Sequence, residues 1–327
     1  MCRTIEGRLN CMPKFTLRHL EIIAELPEHS TLGSAASELN ISESALSQSI
    51  TAIEKIAGEP LCLRRKAHGV SMTASGEYFA SMARKIIAQV DELQATFPHQ
   101  EGKLRGPVRF GCFASLSPHV VPALLEGFPR VHPELDVSVR VGTHEELIPA
   151  LNSGDLDVAF VYDLLLPQEM NKQVIYETEM QVVLHPEHPL ARLERPLELS
   201  DLVTEPLIMY QSVPSTEYTM QLFAARGLVP RITASVPQMI LVNAMVGRGL
   251  GYGLLMSRPN NAELSLEGRK LAIRRLNPPN YPSAVVAIWP RKAQLSARVL
   301  ALIDYAITAM NESWQRAKPE NQSSAGS

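Results

Sequence analysis

One short stretch carries side chains suited to reading DNA bases. Residues 42–57 have the apolar spacing of a helix that begins at a Ser cap, and polar side chains cover the rest of its surface. A helix enters the major groove only when its leading face is small or can bond to base edges, as Ser, Gln and Glu do. The candidates for base contact are Ser42, Glu43, Ser44, Ser47 and Gln48. The alternative is an ordinary amphipathic hairpin with a solvated face.

The flanking segments extend this helix into a larger unit. A shorter helix over residues 31–39 and a tight turn at 40–41 precede it, which gives the order helix, turn, helix. Residues 61–73 then predict a wing, two strands joined by a cationic turn that can neutralise backbone phosphates. The further candidates for DNA contact are Thr31, Arg64, Arg65, Lys66 and His68. A solvated charge run explains the wing less well, because the flanking strands are apolar.

Five segments of the N-terminal part form a specific pattern. They are the apolar helix from Leu17 to Leu26, Ala35-Ala36, Ser42-Glu43-Ser44-Ala45-Leu46-Ser47, Leu61-Cys62-Leu63-Arg64 and Thr73-Ala74-Ser75-Gly76. By these segments the chain resembles the DNA-binding domain of the LysR-type transcriptional regulators. The chain departs from the family pattern at Glu43-Ser44, Gln48 and Cys62, where the family often has Gln-Pro, Arg and Phe. The resemblance implies a winged helix-turn-helix that binds double-stranded operator DNA.

A long apolar stripe follows the wing. Residues 74–97 predict one helix, with apolar side chains three or four positions apart. The stripe consists of Phe79, Met82, Ile86, Val90, Leu93 and Phe97. We expect this linker helix to pair with a second copy as in a coiled coil, because DNA half-sites are read by dimers. The alternative is packing of the stripe against its own domain.

The C-terminal part alternates short apolar strands with helices. The predicted strands are 108–113, 137–141, 157–161, 206–210, 231–236, 251–256 and 284–289, and the predicted helices are 120–128, 145–151, 218–225, 239–246 and 294–310. Such alternation implies parallel sheets, and two similar sheets joined by two crossovers, one at 176–184, make a clamshell. This part resembles the effector-binding domain of the same regulators, which looks like a periplasmic solute-binding protein.

The predicted fold class is therefore α/β, with a winged helix-turn-helix, a long linker helix and a two-lobed α/β domain. The predicted divisions are a flexible arm at 1–13, the DNA-binding domain at 14–73, the linker helix at 74–97, a hinge at 98–106, the effector-binding domain at 107–314 and a disordered tail at 315–327.

Three loops at predicted strand ends carry candidates for small-molecule binding. In a parallel sheet the ligand crevice lies beyond the carboxyl ends of the strands. The resemblance implies that a small-molecule effector is held there between the lobes, and we expect this effector to be a small polar molecule such as a carboxylate. The candidates are Ser115, Leu116, Thr143, His144, Ser212, Val213, Pro214 and Gln238. The alternative is that the hydroxyls only cap helices. We interpret His144 as a solvated loop residue rather than a catalyst.

Composition restricts the remaining classes of function. The 327-residue chain is 45% apolar and 20% charged with a net charge of -3, so any basic surface must be local. The four irregularly spaced cysteines, Cys2, Cys11, Cys62 and Cys112, predict reduced thiols in a cytosol. No run of eighteen apolar residues and no export signal occur, so the expected location is cytoplasmic, without membrane contact.

An enzyme is disfavoured by the motifs. Residues 249–253 superficially resemble a nucleotide loop, but they precede or occupy a strand instead of leading from a strand into a helix. The sequence holds no Gly-x-Ser-x-Gly, no His-Glu-x-x-His and no P-loop lysine. We therefore expect no catalysis, cofactor or metal. The predicted function is effector-controlled DNA binding or promoter activation by a protein that dimerises through the linker helix and forms a homotetramer. A ligand-binding module, or a DNA binder with little effector response, is the alternative.

Overall fold

The computed structural model describes residues 14–65, 69–96, 103–257, 263–277 and 283–316. These residues form two compact units whose main boundary lies after residue 102. The predicted arm and most of the predicted hinge and tail lie outside the described residues, as do Lys66 and His68 of the wing and Phe97 of the predicted apolar stripe.

The N-terminal unit contains four helices and a two-stranded wing. Its elements are α1 (Leu17–Glu25), α2 (Leu32–Glu38), α3 (Glu43–Ala57), β1 (Cys62–Arg65), β2 (Gly69–Met72) and α4 (Ala74–Thr96). α3 begins at the predicted cap, because the Ser42 hydroxyl accepts a hydrogen bond of 3.2 Å from the Ala45 amide. Leu46, Ile50 and Ile53 are fully buried in the core beneath α3. Ala45, which the sequence pattern assigns to packing, is only half-buried.

The long helix α4 has two different apolar faces. Phe79 packs edge-on against Phe15 with ring centroids 4.9 Å apart, and Ala80 and Ala83 are buried. For this first part of α4 the alternative interpretation is right, since the side chains pack against their own unit. Other apolar side chains of α4 remain exposed. They are Tyr78 at 70%, Met82 at 40%, Ile86 at 40% and Leu93 at 59%, and we call them the α4 stripe.

The C-terminal unit has two lobes, each built on a sheet. The strands of lobe 1 are β3 (Gly106–Phe113), β4 (Leu135–Gly142), β5 (Val158–Tyr162), β6 (Met170–Thr178) and β12 (Ser283–Pro290), in the order β4-β3-β5-β12-β6. As predicted, β3 lies parallel to β4 and β5, whereas β12 runs antiparallel to its neighbours. The helices of lobe 1 are α5 (Ser117–Val131), α6 (His144–Ser153) and α10 (Ala297–Arg316).

Lobe 2 repeats much of this arrangement. Its strands are β7 (Met180–Leu184), β8 (Pro206–Tyr210), β9 (Arg231–Val236), β10 (Gly253–Met256) and β11 (Ala272–Arg275), and its helices are α7 (Leu199–Leu202), α8 (Ser215–Ala224) and α9 (Met239–Gly247). β9 and β8 pair in parallel, and β10, β7 and β11 form an antiparallel group. Tyr252 joins the two groups through backbone bonds to Pro206 and Ile208 of 2.8 and 2.9 Å. A Cβ at Gly251 would overlap the Pro206 carbonyl, so the close approach of these two backbone segments requires glycine.

Two parts of the sequence-based prediction for this unit need correction. The segment 176–184 does pass from one sheet to the other, but most of it is strand, because β6 and β7 meet at Glu179. β11 was not predicted, since its Arg274 and Arg275 break the apolar pattern of a buried strand. None of the helices in the described part of the chain is long and apolar enough to cross a membrane.

Candidate DNA-contacting and effector-binding sites

The exposed face of α3 presents short polar groups. Glu43, Ser44 and Gln48 are exposed, while Ser47 is half-buried. The Ser42 and Ser44 hydroxyl oxygens lie 3.0 Å apart, and the Ser42 hydroxyl also caps the helix. Ser44 and Gln48 are therefore the side chains on this helix best placed to meet base edges, because their polar groups point away from the core.

Thr31 has a local structural task. Its hydroxyl accepts a 3.2 Å bond from the Ser34 amide and lies 3.0 Å from the Ser34 hydroxyl, so it caps α2. This cap stabilises the first turn of α2, the helix that precedes α3 in the chain. A DNA contact by the Thr31 hydroxyl stays a prediction.

The wing is a hairpin that is anchored to α3 and to the start of α4. β1 and β2 pair antiparallel from Cys62 opposite Met72 to Arg65 opposite Gly69, which places Arg64 and Arg65 at the outer end of β1. The Glu54 carboxylate of α3 accepts a 2.9 Å bond from the Leu61 amide.

The Thr-x-x-Gly segment explains how the wing returns to α4. The Thr73 hydroxyl donates a 3.0 Å bond to the Pro60 carbonyl and accepts one of 3.0 Å from the Gly76 amide. A Cβ at position 76 would overlap the Leu61 carbonyl, so only glycine allows this packing. The wing base is therefore fixed against the helix that follows it.

The candidate effector loops lie at the strand edges that the sequence predicts. The Ala114 amide bonds to the Gly142 carbonyl at 2.9 Å, which holds together the loops after β3 and β4. In lobe 2, the Gln211 amide bonds to the Val236 carbonyl at 2.8 Å and does the same for the loops after β8 and β9. Each pair of loops thus stands at the carboxyl edge of a parallel strand pair.

Ser115 lies in a small space between the lobes. Ser115 is 7% exposed and Leu116 is fully buried. Ser115 lines a cavity of about 10 Å³ together with side chains from both lobes, among them Tyr162, Tyr210 and Ser215. That volume is close to the space of one water molecule, so an effector needs the lobes to separate. We call this space the interlobe crevice.

The sequence did not identify the three other polar residues that line the interlobe crevice with Ser115, namely Tyr162, Tyr210 and Ser215. Within the described chain, the Tyr162 hydroxyl is buried without a hydrogen-bond partner. Tyr162 ends β5, and Tyr210 ends β8. The strand-end rule would have found both tyrosines, but they read as ordinary apolar positions of their strands.

The loop after β4 is arranged as a helix start. The Thr143 amide donates a 2.7 Å bond to the Glu146 carboxylate, and the Thr143 carbonyl accepts a 2.9 Å bond from the Leu147 amide. The Glu146 carboxylate therefore occupies an amide that a ligand carboxylate would otherwise use. This contact supports the helix-start interpretation of Thr143.

His144 is not a solvated loop residue, and that interpretation was wrong. It is the first residue of α6, is 6% exposed and packs edge-on against Phe113 with ring centroids 5.2 Å apart. Burial lowers the pKa of His144 to about 4. Its Nε2 atom has no hydrogen-bond partner among the described residues. The ring is therefore neutral at pH 7 and offers no positive charge to an anion.

The lobe 2 candidates surround the starts of α8 and α9. The Ser212 amide donates a 3.2 Å bond to the Thr216 hydroxyl, so this amide is already engaged. Val213 is exposed, and Pro214, which follows it through a cis peptide bond, is buried at the start of α8. Gln238 is exposed at the start of α9 and makes no capping bond with its side chain.

Comparison with known proteins agrees with this two-part organisation. Residues 17–77 match the family described as bacterial regulatory helix-turn-helix protein, lysR family. Residues 101–311 match the family described as LysR substrate binding domain. The two matches fall on the winged helix-turn-helix with the start of α4, and on the two lobes.

Individual relatives support the same assignment. The chain is 29% identical to the uncharacterised HTH-type transcriptional regulator YnfL of Escherichia coli K12, over 86% of this chain and 94% of the relative. It is similar to the crystal structure of HinK, a LysR family transcriptional regulator from Pseudomonas aeruginosa, with 27% identity, a TM-score of 0.59 and coverage of 91% of this chain and 99% of that chain.

A second solved structure resembles the C-terminal unit. The C-terminal domain of a probable LysR family transcriptional regulator from Rhodococcus sp. RHA1 is 34% identical, covers 62% of this chain and 99% of its own, and has a TM-score of 0.59. These relatives are named as transcriptional regulators. The chain belongs to the LysR family, and it is a DNA-binding transcriptional regulator with a LysR substrate-binding domain.

Proposed function

We propose that α3 and the wing read an operator, that an effector bound in the interlobe crevice controls this binding or promoter activation, and that the protein catalyses no reaction. The proposed divisions are 14–73 for DNA binding, 74–97 for dimerisation, 98–106 for the hinge and 107–314 for effector binding. The observation that carries the proposal is the exposed polar face of α3 beside the wing, in a chain that also carries a two-lobed ligand domain.

The DNA contacts divide into base reading and phosphate binding. Gln48 is assigned to base edges, where a Gln amide pairs best with adenine, and Ser44 bonds to either base type. Ser42, Glu43 and Ser47 stand beside them on the same helix. Arg64, Arg65, Lys66 and His68 are assigned to the phosphates beside the groove, and they supply affinity rather than sequence preference.

The effector is proposed to bind between Ser115 and Tyr162 of lobe 1 and Tyr210 and Ser215 of lobe 2. The buried Tyr162 hydroxyl is a donor that needs an acceptor, which fits a carboxylate oxygen. Because the crevice has only about 10 Å³, the effector must stabilise a more open arrangement. It shifts the population of lobe arrangements by its difference in affinity between them.

The remaining effector candidates lie in the loops and helix starts near the crevice, and we propose that they act around it. They are Leu116, Thr143, His144, Ser212, Val213, Pro214 and Gln238. Leu116, His144 and Pro214 are buried and would support these loops from within, and the neutral ring of His144 adds no charge. A carboxylate bound here would be held by hydroxyl donors instead of by a cation.

Self-association is proposed to occur through the α4 stripe. Tyr78, Met82, Ile86 and Leu93 are exposed apolar side chains on one side of a 23-residue helix. A second copy of α4 would bury them, and pairing would place two recognition helices for two half-sites. We further propose that two such dimers form a tetramer through their C-terminal units and that the protein acts in the cytoplasm.

A pair of operator titrations tests this function. A thermal-shift screen of small metabolites first identifies a compound that raises the melting temperature. Operator binding is then measured with and without that compound for the wild type and for Ser115→Ala. We expect effector-free binding to be unchanged and the effector response to be lost in the variant. An equal response in both proteins would remove Ser115 from the site, and lost DNA binding would make Ser115 structural.

The small volume of the interlobe crevice favours one second candidate, a DNA binder with little effector response. The same screen distinguishes the two. If no compound in a broad metabolite set stabilises the C-terminal unit, while specific DNA binding is retained, the second candidate is correct.

A further inference from the structure

Lobe 2 contains a larger cavity than the interlobe crevice. Its volume is about 240 Å³, against about 10 Å³ at Ser115, although both spaces touch Leu255 and Met256 of β10. Gln181 and Val183 of β7 and Ile273 of β11 form its floor. We call it the lobe 2 pocket.

The pocket exists because α9 covers only part of the lobe 2 sheet. In lobe 1, the 20-residue α10 packs against the edge strand β6. In lobe 2, α9 has nine residues and packs against β7, β8, β9 and β10. α9 therefore does not cover the side of the sheet near β11. The lobe 2 pocket lies on that side, between α9 and residues 263–271, which lead into β11.

A tight turn that is tied to α9 forms the other wall. The Ser265 amide bonds to the Arg269 carbonyl at 2.8 Å, and the Leu271 amide bonds to the Glu263 carbonyl at 2.7 Å. The guanidinium of Arg248, just after α9, makes two bonds of 2.9 and 2.7 Å to the Glu267 carboxylate. The first two bonds hold the turn together, and the ion pair between the exposed Arg248 and Glu267 side chains links the turn to the end of α9. The turn and α9 thus form the two walls of the pocket.

The lining decides the chemistry of the ligand. Among the described residues that line the pocket, none is Lys, Arg, Asp or Glu, and the single histidine is His119. Most of the others are apolar, including Met239 and Ile240 of α9 and Leu264 of the turn. A buried carboxylate would find no cation here, and burying a charge without a partner is costly.

One polar atom in the pocket needs a partner. The Oδ1 atom of Asn243 is buried and has no hydrogen-bond partner among the described residues. Asn243 lines the pocket from α9. A buried acceptor without a donor is unfavourable, and because the Oδ1 atom is covered, a ligand O–H or N–H would bond to it after the Asn243 amide turns toward the pocket.

We propose that the lobe 2 pocket binds a neutral, mainly hydrocarbon small molecule that donates one O–H or N–H hydrogen bond to Asn243. Pro118 and His119 of lobe 1 also line the pocket, so this ligand would contact both lobes. Any effect of the ligand on operator binding rests on the proposed function. The binding itself does not, and it is measured without DNA.

Three matched probes test the chemistry. Equilibrium dialysis of the full-length protein at about pH 8, above the ordinary pKa of histidine, compares 2-naphthol, naphthalene and 2-naphthoate. We expect 2-naphthol to bind roughly fivefold tighter than naphthalene, the effect of one net hydrogen bond. The 2-naphthoate anion should bind weakest. Tighter binding of 2-naphthoate than of 2-naphthol, or no binding of any probe up to its solubility limit, would overturn the proposal.

Three variants locate the site. Asn243→Leu should remove the preference for 2-naphthol over naphthalene, and Ile240→Trp, at a half-exposed position of the rim, should weaken both probes at least fivefold. Leu241→Ala is the matched control, since Leu241 lies on α9 outside the pocket lining and should leave binding unchanged.

Ser115→Ala distinguishes this pocket from the interlobe crevice. If Ser115→Ala weakens 2-naphthol while Asn243→Leu and Ile240→Trp do not, the ligand sits in the crevice and the lobe 2 pocket is excluded. If Asn243→Leu is unfolded, the Ile240→Trp result alone decides, and normal binding by that variant contradicts the proposal.

Discussion

Lowering the pH from 7 to 5 should weaken the C-terminal unit through one buried side chain, His144. The imidazole is 6% exposed and packs edge-on against Phe113. Burial disfavours the charged ring and lowers the pKa of His144 from 6.5 to about 4. The folded protein therefore keeps this ring neutral at pH values where the unfolded chain binds a proton.

The sign and size of the effect follow from these two pKa values. The folded pKa of His144 is depressed, so the stability gained from the neutral ring is fully present above pH 6.5 and is lost as the pH falls toward 4. At pH 5 the unfolded state is almost fully protonated and the folded state is not. The free energy of unfolding should drop by about 2 kcal/mol at pH 5 and about 3 kcal/mol at pH 4 from this group alone.

Urea unfolding followed by tryptophan fluorescence measures this change. Both tryptophans, Trp289 and Trp314, lie in the C-terminal unit, so the signal reports on that unit. His144→Leu keeps an apolar contact with Phe113 but has no imidazole to protonate. Between pH 7 and pH 5 its free energy of unfolding should therefore fall by about 2 kcal/mol less than that of the wild type. His185→Leu, at a half-buried position, should retain the wild-type loss. If His144→Leu and the wild type lose the same stability between pH 7 and pH 5, then His144 is not the cause of the loss.

Three further predictions concern DNA binding and assembly. Arg65→Ala and Lys66→Ala should each weaken binding to all sequences and lower the log-log salt slope by about 0.9, and an unchanged slope in both would remove the wing from the interface. Gln48→Ala should relax the base preference of DNA selected from a random library at one position without changing the salt slope. Ile86→Asp should convert the tetramer to dimers that are joined only through their C-terminal units in sedimentation experiments, because it places a carboxylate in the α4 stripe, whereas Ala88→Asp, on another face of α4, should remain tetrameric.

Local signals made most of the N-terminal unit predictable from sequence. The Ser42 hydroxyl caps α3 at the Ala45 amide, and the Thr73 hydroxyl accepts a bond from the Gly76 amide, so each of these contacts spans three residues. Such patterns are written in adjacent residues, so a single sequence reveals them. The division of α4 into a packed and an exposed face was harder, because Phe79 and Ile86 look alike until Phe15 is placed.

The candidate sites of the C-terminal unit depend on contacts between distant residues. The lobe 2 pocket brings together Gln181, Leu255 and Ile273, and their strands meet only through the pairing of β7 with β10 and β11. No periodicity within one segment shows that pairing. His144 was misread for the same reason, since the ring that buries it lies on β3. The strand-end rule correctly placed the candidate loops at the carboxyl ends of the parallel strands. It did not reveal which side chains are buried there.

We propose specific DNA binding under ligand control, and a titration of selected and scrambled DNA measures it. Full-length protein selects DNA from a random library, and the selected duplex is compared with a scrambled duplex at fixed salt, with and without a compound from the thermal-shift screen. We predict two symmetric half-sites, binding at least about 10³-fold tighter than to scrambled DNA, and a ligand-dependent change in that ratio. Equal affinity for both duplexes, or a ratio that no stabilising compound alters, would contradict the claim.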